Sequence, residues 1–383
     1  MGSRRRLNGS TPRPTATHPH ADVHWRHLMS TNLNSMVEAN PTTVLWNDSA
    51  DPVELKQSIE YGAVGATCNP VIAVTCIKAD LPRWSARIKE LDTEMPEATE
   101  SEIGWKVVEE LSIDAARLLE PAFAKYAGRN GRLSMQTDPR LARSAAKLAD
   151  QAEYFNGLAD NIIVKIPATR RGIEAIEEAT YRGVNINVTV SFTVPQAVAA
   201  GEAIERGLKR REAEGRSIEG MGPVVTIMCG RLDDWLKECV EADGIDIDPE
   251  HLEWAGVAAF KKAYGIFQER GLRARLLSAA FRNTKQLSEF VGGDVVISPP
   301  FKWQKQIVDG GEELPERMSA PVDQAIVDEL YAKIPEFRRA YDVDGMTPDE
   351  FDTFGATRKT LRQFLAADEE LDQVVRDILV PAP

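Results

Sequence analysis

Histidine is scarce where catalysis would use it. Of the five in this 383-residue chain, His18, His20, His24 and His27 fall near the start, and only His251 lies in the body. No pair remains for a Ser/His relay, and no cluster for a multi-histidine metal site. Any catalysis must run on lysine, carboxylates, amides and hydroxyls. Cysteine is thin as well: Cys68, Cys76, Cys229 and Cys239 form no close CxxC pair. That spacing suits thiols packed as small apolar groups in a reducing cytoplasm, not a disulfide framework. No apolar run is long enough to span a bilayer. Neither the glycine-rich loop of a dinucleotide site nor a P-loop occurs. Positive charge is missing from the body too. The chain carries −13, and residues 1–30 hold five arginines against one aspartate, which leaves −17 on the remainder. A body that acidic excludes nonspecific nucleic-acid binding.

What is present is an alternation of short β-branched runs and amphipathic segments. Residues 1–35, rich in Arg, Thr, Pro, His and Asn without apolar period, read as a disordered tail. Arg4 to Arg6 lead into no apolar segment, so an export signal is not expected. From residue 36 the chain reads as a single domain. Strands are predicted at 43–46, 64–68, 132–136, 161–164, 184–190, 224–228, 275–278 and 295–298. Helices are predicted between them. Asp51-Pro52-Val53-Glu54 and Thr193-Val194-Pro195-Gln196 carry helix-start signals, and Asn283 with Gln286 fits a cap and its third position. Eight strands with intervening helices over this length predict a (β/α)₈ TIM barrel, with the acidic helical region after Asp309 wrapped around it. A doubly wound open sheet is the alternative.

The most informative run is Asn161-Ile-Ile-Val-Lys165-Ile-Pro-Ala-Thr169. A buried strand ending in lysine is unusual. Burial disfavours the ammonium, so the amine becomes available as a nucleophile. The plainer reading pairs Lys165 with a carboxylate. Pro167 is expected to stop the strand. The other residues at predicted strand ends are Asp48, Asn69, Gln136, Asn187, Thr189, Thr226, Arg231 and Arg282, and in a barrel all of them face one mouth. Taken singly, Asp48 and Asn69 suit caps or turns, and the arginines suit surface ion pairs.

Taken jointly, they match a family. The chain from about Leu45 to Trp303 resembles the transaldolases. The carriers are Thr67-Cys-Asn-Pro70, Val164-Lys-Ile-Pro-Ala-Thr169, Gly183-Val-Asn-Ile-Asn-Val-Thr189, Gly230-Arg-Leu-Asp-Asp-Trp235 and Ala280-Phe-Arg-Asn-Thr284. The resemblance implies a Schiff-base transferase in the cytoplasm, without metal or organic cofactor. It would move a dihydroxyacetone unit between sugar phosphates. No nucleic-acid or membrane partner is implied, and a homo-oligomer is compatible with it. By the same resemblance, Lys165 is the imine-forming nucleophile and Asp48 moves the proton of the hydroxyl beside the breaking bond. Asn69, Asn187 and Thr226 hold the triose hydroxyls, Thr189 orients the catalytic water, and Arg231 with Arg282 clamps phosphate.

Three positions depart from the pattern. Gln136 stands where transaldolases have a water-activating glutamate, and the related fructose-6-phosphate aldolases have glutamine there. Met228 replaces a phenylalanine, which is tyrosine in the aldolases, and Ala280 replaces a phosphate-binding serine. Reversible aldol cleavage is therefore the competing activity. A non-catalytic sugar-phosphate-binding relative is the third reading, and it is disfavoured by the presence of both Lys165 and Asp48.

Overall fold

The computed structural model describes residues 31–382. Eight strands, β1 (Val44–Asn47), β2 (Ala63–Thr67), β3 (Arg132–Gln136), β4 (Ile162–Pro167), β5 (Ile186–Thr189), β6 (Val224–Ile227), β7 (Arg275–Ser278) and β8 (Val295–Ile297), pair in chain order. Every pairing is parallel, and β1 closes on β8 through Val44–Val296 and Leu45–Ile297. The result is the (β/α)₈ barrel expected from the sequence. Helices outside it cover the other face of each strand, and every strand residue except Val64 is buried. Among the described residues, no helix is long and apolar enough to cross a membrane.

Two side-chain layers share the barrel interior. Val44, Trp46, Ile163, Val224, Leu277, Ala279 and Val296 form one apolar cluster, packed with Val64. Polar residues at the carboxyl ends lie beyond it. Trp46 is fully buried, and β2 makes room for it at Gly65, where a Cβ would stand 2.5 Å from the indole ring. The β1–β2 register shifts between Leu45 and Asn47, beside this contact.

Several segments differ from the sequence expectation. Pro167 does not end β4 early; it is the last residue of the strand and pairs with Thr189. Val164 and Ala168 donate their amides toward β5, to Asn185 and Thr189, so position 167 faces β3. There, Thr137 N–H already donates to the Lys165 carbonyl just past the end of β3. The missing proline donor thus falls where the ladder has stopped. The helical region after Asn69 divides into Pro70–Ala79, Leu81–Glu94 and Glu100–Lys125. Most of the expected disordered tail, residues 1–30, lies outside the described residues. Residues 31–35 depart from that expectation, because helix Asn32–Ala39 begins there under a Thr31–Asn34 capping box. Leu33 and Met36 are buried, and Asn32 Nδ2 donates to the carbonyls of Ile307 and Glu312. Leu33, Met36 and Val37 within eight residues gave that helix too short a pattern to read.

The last long helix, Gly355–Leu379, packs on Pro70–Ala79, Glu100–Lys125 and Cys229–Asp243. Pro70–Ala79 and Cys229–Asp243 directly follow the carboxyl ends of β2 and β6, so the helix lies on the mouth side of the barrel there.

Gly65→Ala is expected to overpack the barrel against Trp46 and to cost about 1–3 kcal/mol. Urea denaturation measures it. A midpoint equal to wild type would show that the interior has slack at this level.

Candidate active site

Gln136, Lys165 and Asn187 are lateral partners on β3, β4 and β5, so they stand at one height in the mouth. The Lys165 side chain is enclosed, with 6 % exposure, and its Nζ donates to the Cys68 carbonyl at 3.2 Å. Burial lowers its pKa below the ordinary lysine value, while the nearby charges of Asp48 and Cys68 oppose the shift. Among the described residues, no carboxylate lies within ion-pair distance of this amine. The plain ion-pair reading of Lys165 is therefore not what the fold builds.

Around it, Thr67 Oγ1 donates to Asp48 Oδ1 at 2.5 Å, which fixes the carboxylate at the end of β1. Thr226 Oγ1 donates to Asn187 Oδ1 at 2.8 Å, and Asn187 Nδ2 donates to Ser134 Oγ at 2.9 Å. This chain of bonds locks three inward polar groups of the barrel. Thr189 is buried one step higher, opposite Pro167. Gln136 is 5 % exposed, yet its Oε1 has no hydrogen-bond partner. A buried amide oxygen without a donor is costly unless a water or ligand supplies one. Gln136 lines a small cavity with Asn69, Trp105 and Asp368. Asn69 is also a helix cap, its Oδ1 accepting from Ile72 N–H at 3.0 Å, so the ordinary role of an Asn-Pro turn is present.

The arginines differ from each other. Arg231 follows β6 in helix Cys229–Asp243 and is partly buried. Burial and then the charge of Arg282 lower its pKa, with Asp48 and Asp234 opposing. The mutual influence of these four charges brings the ends of β1, β6 and β7 into one electrostatic site. Arg282 is more open and makes the kind of surface ion pair its type suggests, Nη2 to Asp234 Oδ2 at 2.7 Å. Its Nη1 donates to the carbonyls of Ala280 and Phe281.

Asn283 is not the cap expected of it. The helix there is only Lys285–Ser288, its N-cap is Thr284, and no side-chain cap bond forms. Gln286 works elsewhere: its Oε1 accepts from Arg282 N–H at 2.6 Å, and its Nε2 donates to Asp233 Oδ2 at 2.6 Å. The Asp233-Asp234 pair thus holds Arg282 twice, by side chain through Asp234 and by backbone through Asp233 and Gln286. Gly230 allows the close approach, since a Cβ would stand 2.1 Å from the Ala280 carbonyl. Ala280 itself sits at φ 60, a strained value for a residue with a Cβ. Sequence reasoning did not assign Asp233, Asp234 or Gln286 a role in the site, although all three lie in or beside the motif runs.

A family model described as Transaldolase/Fructose-6-phosphate aldolase matches residues 45–371. The chain is 28% identical over 326 residues to a transaldolase of Thiobacillus denitrificans, covering 77% of this chain and 88% of that protein. Identity is 26% over 371 residues with a transaldolase of Alteromonas mediterranea, covering 90% and 99%. A transaldolase of an Arthrobacter strain is 30% identical over 212 residues, 55% of this chain and 56% of that protein.

Burial raises the Asp233 pKa from 3.8 to about 7, against its hydrogen bonds from Gly256 N–H and Gln286. Folding therefore strengthens proton binding at Asp233. The folded chain holds more protons than the unfolded one between those values, so this group's stabilising share is complete below about pH 4 and is lost as pH rises through 7. Asp233→Asn cannot titrate. Urea midpoints should show the variant faring better against wild type at pH 8 than at pH 5. A pH-independent difference would refute the shift.

Proposed function

The chain belongs to the transaldolase/fructose-6-phosphate aldolase family, and on that premise we propose that it moves a dihydroxyacetone unit from a ketose phosphate to an aldose phosphate through an imine on Lys165. One observation carries the reading: an enclosed strand-end lysine, held below its ordinary pKa by burial, with a backbone carbonyl as hydrogen-bond partner. A lowered pKa favours the neutral, nucleophilic amine, and the imine it forms is the electron sink that C–C cleavage needs.

Lys165 Nζ adds to the ketose carbonyl carbon, and the carbonyl oxygen leaves as water. Asp48 then takes the proton of the hydroxyl on the far side of the bond to be broken. That oxygen becomes an aldehyde, the C–C bond breaks, and its electron pair neutralises the iminium to give an enamine. The departing aldehyde carries the phosphate. Attack of the enamine on an incoming aldose phosphate reverses these moves, and water releases the new ketose from Lys165. Asn69, Asn187 and Thr226 hold hydroxyls of the retained triose, and Thr189 orients the water that carries protons. Arg231 and Arg282 receive the phosphate of donor and acceptor alike, since guanidinium stays charged and suits phosphate geometry. Phosphate then competes with Asp234 for Arg282. Imine chemistry of this type requires neither metal nor organic cofactor. The proposed partners are sugar phosphates and the proposed setting is the cytoplasm.

Borohydride added with a ketose phosphate should fix a triose unit on the peptide carrying Lys165, and Lys165→Ala should lose turnover by orders of magnitude. An unlabelled Lys165 with turnover intact in the variant would sink the proposal.

Gln136 favours a second reading, net aldol cleavage. The enamine is either protonated, releasing dihydroxyacetone, or trapped by an aldehyde. Glutamine can hold the water by hydrogen bonds but cannot take its proton at neutral pH, whereas glutamate can. The buried, partnerless Oε1 of Gln136 suits holding a water. Wild type is expected to release free dihydroxyacetone alongside transferred product, and Gln136→Glu to shift the ratio toward transfer. A ratio identical in both proteins, at one acceptor concentration, would remove Gln136 from the partition.

A further inference from the structure

Helix Gly355–Leu379 buries an unusual stripe. Beside Phe364 and Leu371, its covered face carries Thr357, Thr360 and Asp368, each with 3 % exposure or less. Polar groups buried on an amphipathic helix need partners, and here the partners are side chains of Gln196, Trp105, Arg140 and Arg231. Gln196 Nε2 donates to Thr357 Oγ1 and to the carbonyls of Ala168 and Val190, past the ends of β4 and β5. Trp105 Nε1 donates to Asp368 Oδ1 at 3.1 Å, and Arg140 pairs with the same carboxylate at 3.0 Å. Lys78–Glu370 and Lys359–Glu238 ion pairs flank these contacts. The helix is thus fixed at several points along its length.

Between those points stands Thr360, and its Oγ1 accepts from Arg231 Nη1 at 3.2 Å. Among the described residues this is the only hydrogen bond the Arg231 guanidinium makes, and no carboxylate lies within ion-pair distance of it. Phe364, one turn further on, sets its ring centroid 5.8 Å from Cζ. Four of the five guanidinium donors are therefore unspent, while one donor and one flank of the plane are fixed by the C-terminal helix. Most other buried or half-buried arginines of the body use carboxylates or several carbonyls, as Arg132 does with Gly128, Asp160, Ile162 and Gly220. A desolvated guanidinium oriented by a single hydroxyl, with the rest of its donors free, is arranged to receive an anion.

We infer that Thr360 is a positioning residue for Arg231, so that the far end of the chain sets how strongly the site prefers a phosphorylated donor. The inference rests on the phosphate role proposed above for Arg231. Without the hydroxyl, a long flexible side chain must be ordered by the anion alone, which weakens binding of the anion and leaves the bond-making groups at Lys165 and Asp48 untouched.

The experiment compares fructose 6-phosphate with fructose as donor in the full chain. Thr360→Val keeps the volume and removes the hydroxyl, and Thr360→Ser keeps the hydroxyl. Thr360→Val is expected to raise KM for fructose 6-phosphate about five- to tenfold, with kcat and the fructose KM unchanged, and Thr360→Ser to restore the wild-type KM. A parallel loss with both donors, or an unchanged KM for fructose 6-phosphate, overturns the inference. Should Thr360→Val fail to fold, Thr360→Ala against Thr360→Ser makes the same comparison, with the same outcomes supporting or overturning it. Arg231→Ala separates the two levels. If it leaves the preference for the phosphorylated donor intact, the phosphate role falls and the inference with it; if it abolishes the preference while Thr360→Val leaves the KM for fructose 6-phosphate unchanged, only the role of Thr360 falls.

Discussion

The fold depends on keeping one lysine amine dry. An ammonium taken out of water without a counter-ion is strongly disfavoured, and here the barrel offers Lys165 a backbone carbonyl in place of a carboxylate. Below it, Trp46, Ile163, Val224, Leu277 and Val296 form an apolar layer in the interior. Beside it, Asn187, Thr226 and Ser134 hydrogen-bond one another, and none of them bonds the amine. Asp48 is near enough to pull against the burial, but its carboxylate is held by Thr67. The geometry keeps acid and amine apart and poised on two sides of one space.

The arginine side is organised differently. Arg282 is an open, ion-paired arginine whose backbone is held by Gln286 and, behind it, the buried Asp233. Arg231 is a more enclosed arginine with its charge largely uncommitted. They follow strands six and seven of the barrel, on the face where this architecture gathers its binding and catalytic groups. The C-terminal helix, outside the barrel proper, links this side to the cavity behind Gln136 through the spacing of Thr360, Phe364 and Asp368 on one face.

How much of this was legible depended on whether the signal was local. β3 and β7 stand where they were expected, because a short strand bounded by turn residues is written in consecutive residues. Lys165 was legible for the same reason: a charge inside an apolar run contradicts its neighbours and demands an explanation. Pro167 was misread because its cost depends on whether the adjacent strand still needs a donor there, a fact about β3 and not about the proline. Asn283 resembled a cap in spacing, yet the chain turns one residue later and gives Gln286 to Asp233 instead. Thr360 was invisible. A threonine in an amphipathic helix acquires meaning only when the fold lays that helix across a mouth built from residues more than a hundred positions earlier.

The central claim is that burial lowers the pKa of the Lys165 amine and so favours its neutral, nucleophilic form. Its titration can be followed directly by carbon-13 NMR of the lysine Cε in labelled protein, with Lys165→Met used to assign the signal. The account predicts a midpoint below the ordinary value of 10.5. A Lys165 that stays protonated up to or beyond 10.5 would contradict it.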